Sequence, residues 1–278
     1  LLNFLLLTAV LSTPLILAAL GGYASERSGV INIGLEGKML AGACAAALVG
    51  ERFGVVPGLM AAILASTLLA VLHWTATQHY RIDHVISGMA INALAAGATE
   101  FFFEKLHDPS RTQDVPTPPL AFFQVLAFVA PFLIWLIVRR TRVGLRLVAV
   151  GSEPDKARLM GVQPVRIRFG ALLATGVLTA LAGAALVADV GVFTRGMTAG
   201  KGYIALAALV LGGYRPIPVL LACVGFGALQ TLSLNLDGTD IFGGLPSQFW
   251  SALPYLATVI ALAGFLGKNR TPAGLGKA

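Results

Sequence analysis

Long apolar runs, broken by short polar or glycine-rich intervals, fill this chain. A helix needs roughly 20 apolar residues to cross hydrocarbon. Runs approaching that length lie at Leu2–Leu20, Gly34–Gly50, Val55–Trp74, Val85–Phe103, Leu120–Val138, Phe169–Ala188, Tyr203–Gly213, Ile217–Leu234 and Phe249–Leu266. The pattern predicts an all-α, polytopic membrane protein with about eight to ten transmembrane helices in a single domain over residues 1–278. Several runs are short and dense in glycine, so broken or re-entrant helices are expected where the interrupted backbone is buried or lines a cavity. The first run reads as a genuine span rather than a cleavable leader, because no Lys or Arg precedes Arg27 and further apolar segments follow.

Composition agrees. Of 278 residues, 56% are hydrophobic and 12% charged, about half the charged share of a soluble domain. Charge distribution adds orientation. Between Arg139 and Arg168 stand eight basic residues against Glu153 and Asp155, a net of +6 out of +7 for the whole chain. By the positive-inside rule residues 139–168 form a cytoplasmic loop. Alternating the spans puts the N-terminus outside and the tail, with Lys268, Arg270 and Lys277, in the cytoplasm. The loop around Asp114 and the one carrying Asp237 and Asp240 then face outward. A cytoplasmic face attracted to anionic lipid accounts for the basic balance, so no nucleic-acid partner is needed. Cys44 and Cys223 fall inside apolar runs and read as buried thiols that report no redox compartment.

The central loop carries a helix start and stop. Ser152 is placed to cap, Asp155 to reach back as in a capping box, and Pro154 suits a first turn. Gly161 supplies the stop. A helix of about eight residues, roughly 12 Å long, is too short to be stable alone. It wants something to pack against. Ala157, Leu159 and Met160 form a small apolar knob collared by Lys156 and Arg158. From the residues alone, the alternative is an amphipathic turn resting on lipid headgroups.

The stretch GLRLVAVGSEPDKARLMGV resembles the coupling loop of permease subunits of ATP-binding-cassette (ABC) importers, in the family serving ribose and other simple sugars, nucleosides and branched-chain amino acids. Thr13–Ala43, His84–Gly97 and Phe193–Pro216 resemble other blocks of that family in the same order. ERSGVINIGLEG and GMTAGKGYIALAALVLGG are most similar to the nucleoside and simple-sugar branch. The resemblance implies a permease in a bacterial cytoplasmic membrane that forms half of a pathway. It implies three partners: a cytoplasmic ABC ATPase, a second and different homologous permease chain, and an extracytoplasmic substrate-binding protein. Gly151, Ser152, Glu153, Pro154, Asp155, Ala157, Arg158, Leu159 and Gly161 would then couple to the ATPase.

The chain itself shows no engine. Gly196–Lys201 has three residues between its glycines, one short of a Walker motif, and Gly202 stands where the hydroxyl should be. No His and Cys spacing suits zinc, and His73, His79 and His84 read as interfacial polar residues around a short loop. No catalytic constellation is legible, so the chain reads as a non-enzyme that binds no cofactor, with ATP and magnesium on the partner ATPase.

The pathway is sought among polar residues inside apolar runs, which are expensive there and face a cavity or a partner. Asn32, Glu36, Ser87, Asn92, Glu100, Thr175 and Gln230 qualify. For each, an interhelical hydrogen bond competes with a substrate contact. Two small-residue hairpins, Gly34–Leu72 and Gly200–Leu232, run in opposite senses under this topology, as an inverted repeat would. A secondary transporter, an intramembrane enzyme and a branched-chain amino acid permease are the alternatives to a nucleoside or sugar importer.

Overall fold

The computed structural model describes residues 1–106, 115–236, 252, 253, 255–260, 263 and 271–277. Most of the ninth apolar run lies outside the described residues, as do Asp114, Asp237, Asp240, Lys268 and Arg270. The named elements are helical: α1 (Leu2–Arg27), α2 (Leu35–Phe53), α3 (Val55–Trp74), α4 (His84–Leu106), α5 (Leu120–Arg140), α6 (Arg142–Ser152), α7 (Pro154–Leu159), α8 (Pro164–Val190), α9 (Lys201–Leu211) and α10 (Pro216–Leu236). A π-helical turn, Thr75–His79, extends α3. Among the described residues, six helices are long and apolar enough to cross a membrane: α1, α3 with its π turn, α4, α5, α8 and α10. This is a multi-pass membrane protein.

Helices α1 and α8 form the centre. Their apolar windows are 61% and 72% buried, against 22% for α3 and α5. In lipid the hydrophobic effect does not drive helices together, so close approach and interhelical hydrogen bonds must. Both are present. A Cβ on Gly183 of α8 would overlap the Met39 carbonyl of α2, and one on Gly42 would stand 2.9 Å from Ala180 Cα. The Thr175 hydroxyl lies 2.8 Å from the Gly21 carbonyl of α1, and Ser66 of α3 pairs with Thr179 of α8 at 2.8 Å.

One end of the bundle gathers the α1–α2 turn, the π turn, α6 and α7, the α9–α10 turn and the segment 271–277. The buried Arg168 guanidinium ties three of these together, donating to the Ser28 carbonyl (3.3 Å), Gln78 Oε1 (2.7 Å) and the Lys277 carbonyl (2.6 Å). At the other end Val115 N–H donates to the Gly191 carbonyl at 2.7 Å, and exposed Arg195 meets Glu100 at 3.3 Å.

The central loop differs from its expected form. Ser152 is the last residue of a longer amphipathic helix, α6, and caps nothing. Thr141 caps α6 by accepting the Gly144 N–H at 3.2 Å. Glu153 occupies the N-cap of α7 without a side-chain capping bond, and Asp155 makes no capping-box bond. Helix α7 has 6 residues rather than about eight. The reason is local: α6 runs through the position where a cap would need extended backbone. Pro154 stands in the first turn, as expected, and Gly161 ends the helix at φ +81°.

Candidate functional site

Residues 151–161 include an elbow between α6 and α7. Its inner side is anchored by close contact: a Cβ on Gly151 would overlap the Arg27 carbonyl at the end of α1. The Gly151 carbonyl in turn accepts the Gly274 N–H at 2.9 Å, and the Gly29 carbonyl accepts the Gly276 N–H at 2.9 Å. Residues 271–277 therefore strap the elbow to the α1–α2 turn. The far end of α7 closes as a Schellman motif, with Val162 N–H on the Ala157 carbonyl and Gly161 N–H on the Arg158 carbonyl, each at 3.0 Å.

With both ends fixed, α7 buries Ala157 and turns outward Leu159, 89% exposed, and Met160, 84% exposed. Lys156 pairs with Glu153, both largely in the open, while Asp155 and Arg158 are exposed. Two neighbouring large apolar side chains held out of a rigid short helix make a knob.

A second constellation lies inside the bundle. Helix α9 has 11 residues, so it rises roughly 16 Å, about half of a 30 Å hydrocarbon core. Since α9 ends beside Tyr214 and Arg215 at the elbow end, its first turn sits near mid-depth. There the Glu36 carboxylate accepts the Gly200 N–H (2.7 Å) and the Gly202 N–H (2.6 Å). Gly200 has φ +80°, which opens the helix from a loop that a side chain would strain. Next to it, Asn92 Oδ1 accepts the Gly37 N–H at 2.8 Å while Asn92 Nδ2 donates to the Ile33 carbonyl (3.1 Å) and the Tyr203 hydroxyl (2.9 Å). Tyr255 donates to the Ala199 carbonyl at 2.8 Å. Tyr203 and Tyr255 are 47% and 48% exposed, so this node has an open aromatic side.

The remaining polar residues go elsewhere. Asn32 is buried and bridges two ionisable side chains: its backbone N–H donates to Glu26 Oε1 at 3.3 Å, and its Oδ1 accepts from the buried Lys38 Nζ. Tyr214, in the α9–α10 turn, also meets Glu26. Burial and that carboxylate push its phenol above the ordinary range, so it stays a donor. Ser87 bonds His73 Nδ1 at 2.9 Å, and His73 Nε2 donates to the Ile31 carbonyl at 3.0 Å. His84 Nδ1 accepts the Ile31 N–H at 3.2 Å. His73 and His84 are thus buried clamps on the backbone of one residue, Ile31, rather than interfacial residues. Thr175 locks α8 to α1, Glu100 sits in an exposed ion pair, and Gln230 is half-buried on α10.

Sequence reading missed Arg168, Tyr203 and the strap. By sequence Arg168 belongs with the basic loop, and only its place at the start of an apolar run hints at burial. Nothing in TPAGLGK signals docking except its glycines.

Residues 4–262 match the family described as branched-chain amino acid transport system, permease component. The chain is 35% identical to the guanosine ABC transporter permease protein NupQ of Bacillus subtilis strain 168, covering 97% of this chain and 93% of that one. It is 31% identical to the nucleoside ABC transporter permease protein NupC of Lactococcus lactis subsp. cremoris, covering 95% and 92%. A solved ABC transporter of metal-chelate type, in an inward-facing conformation, shares the fold at a TM-score of 0.57 and 15% identity over 95% of this chain and 86% of that one. With its membrane helices, knobbed elbow and match over nearly its whole length, the chain belongs to the branched-chain amino acid transport system permease family and is an ABC transporter permease.

Proposed function

We propose that this chain forms half of the pathway of an ATP-driven importer for a nucleoside or a simple sugar. The end of the bundle carrying α7 faces the cytoplasm of a bacterium, and α7 docks into a cleft on a separate ABC ATPase that binds ATP and magnesium. The observation that carries this reading is the Leu159–Met160 knob. A short helix fixed at both ends and baring two large apolar side chains suits a rigid lever better than a surface float. Movement of the ATPase would pass through Gly151 to α1 and through Gly161 to α8, the central pair of helices.

Substrate would cross near the Glu36–Asn92–Tyr203 node. A half-length helix starting near mid-depth is where transporters place their sites, and amide, phenol and aromatic faces suit a neutral, hydroxyl-bearing ring compound. Asn32, Ser87, Thr175 and Gln230 remain in the candidate set for the pathway, away from this node and engaged in the contacts described above. The hairpins beginning at Gly34 and Gly200 start side by side at the Glu36–Gly202 contact, which favours an inverted repeat within a bundle of eight to ten spans. A second, homologous permease chain completes the pathway, and an external binding protein delivers the substrate.

The experiment is reconstitution. The chain, co-expressed with a homologous permease, an ABC ATPase and a binding protein from the same organism, is placed in proteoliposomes and offered labelled guanosine, ribose and leucine. ATP-dependent uptake of guanosine or ribose is expected. Uptake by this chain alone would make it a secondary transporter, and uptake of leucine alone would overturn the substrate class.

A further inference from the structure

At the elbow end a cleft of about 660 Å³ opens between α1, α5, α6 and the start of α10, within the range of roughly 300–1,000 Å³ usual for ligand sites. Three arginines from three separate elements line it: Arg27 ends α1, Arg139 stands in the last turn of α5, and Arg215 precedes α10. Tyr23, Trp135 and Ser152 add polar edges, and no Asp or Glu is among the lining residues. Among the described residues, no ion pair engages any of the three arginines.

Helix dipoles explain part of this charge. Arg27 and Arg139 stand at helix C-termini, where a cation is favourable. Arg215 does not fit that account, because it stands at the start of α10, where the dipole disfavours a cation and the first turn carries no acid. Three like charges brought around one cleft repel unless an anion joins them. Guanidinium groups present paired N–H donors that match phosphate oxygens. The Arg139 guanidinium carbon lies over the Trp135 ring, 5.1 Å from its centroid, and the side chain is exposed.

We propose that this cleft binds the headgroup phosphate of an anionic phospholipid. The apolar side of the cleft decides between a lipid and a free phosphate. Val138, Leu145, Val148 and Ile217 line it. On α5 the same helical face carries Phe132, three residues before Trp135 and about half exposed, and Leu145 of α6 is 62% exposed. Arginines at the ends of helices above an exposed apolar stripe match the level where phosphate gives way to acyl chain. Ser152 lines the cleft and is also the last residue of α6, next to the Glu153 N-cap of α7, so a bound lipid would brace the elbow from its membrane side. The proposal needs only a membrane and not the importer reading, and binding is read without transport.

The test uses the full chain purified in detergent and examined by native mass spectrometry with phosphatidylglycerol or phosphatidylcholine added. Wild-type protein is expected to retain phosphatidylglycerol and not phosphatidylcholine, and an excess of inorganic phosphate is expected not to displace it. The double variant Arg139→Gln, Arg215→Gln, both exposed positions, should retain at least about ten-fold less. Arg139→Lys, which keeps the charge but loses the paired donors, should fall between, and covers the case in which the double variant fails to fold. Equal retention by the wild type and the Gln or Lys variants, equal retention of both lipids, or displacement by inorganic phosphate would each overturn the proposal.

Discussion

Glu36 in the first turn of α2 holds the first turn of α9 through the N–H groups of Gly200 and Gly202, 164 and 166 positions along the chain. Two helix starts therefore meet near mid-depth, and one carboxylate satisfies donors that lipid could not. Bonds to a charged acceptor contribute about 1.5–3 kcal/mol each. Glu36→Ala should lower the unfolding midpoint in detergent and abolish uptake, whereas Glu36→Gln, which keeps one acceptor oxygen, should lie between. A Gln variant as unstable as Ala would show that the charge rather than the acceptor matters.

Leu159 tests the lever. It is 89% exposed here, so changing it leaves the membrane core untouched. Burying a leucine on docking contributes about 1.5–3 kcal/mol, and an unpaired carboxylate in its place adds several kcal/mol of desolvation. Leu159→Glu should give a permease that accumulates normally but loses its ATPase on purification, while Leu159→Met should be nearly silent. Normal ATPase yield in the Glu variant would mean that α7 rests on lipid.

Gly151 has no room for a side chain. Gly151→Val would push the elbow off the Arg27 carbonyl and break the Gly274 contact. Uptake should fall sharply while membrane insertion persists, measured as yield in the membrane fraction against transport. Gly161→Ala strains a residue at φ +81° and should cost about 1 kcal/mol, a milder loss.

Arg168 and the strap should fail together. Removing residues 271–278 takes away the Lys277 acceptor and uncovers Gly29 and Gly151. Hydrogen exchange should then quicken in residues 28–34 and 150–155. Arg168→Gln, which loses charge-assisted bonds to three segments, should quicken the same peptides and also residues 75–80, at a cost on the order of 3 kcal/mol. Unchanged exchange after truncation would show the strap to be passive.

Orientation is separable. Single cysteines at Asp155 and Arg195, at opposite ends of the bundle, in a background with Cys44 and Cys223 replaced, should react with an impermeant thiol reagent from opposite sides of the membrane. Labelling of Asp155→Cys from outside intact cells would invert the topology and remove the coupling reading.

The sequence by itself determined the class of this protein and the place of its elbow. Apolar runs approaching the thickness of the hydrocarbon core are local facts, and so is a Pro154 start with a Gly161 stop, because each depends on one residue's own backbone geometry or solvation. The tertiary structure decided what the polar residues do. Asn32 as a bridge between Glu26 and Lys38, Thr175 as a clasp on Gly21, and Glu36 as the cap of a helix 164 positions away are set by which helices cross. A polar group in hydrocarbon must find a partner, and periodicity does not record where that partner lies. The same holds for Arg168, charged like its neighbours in the loop yet buried, because its acceptors come from three distant segments that only the folded bundle brings to one point.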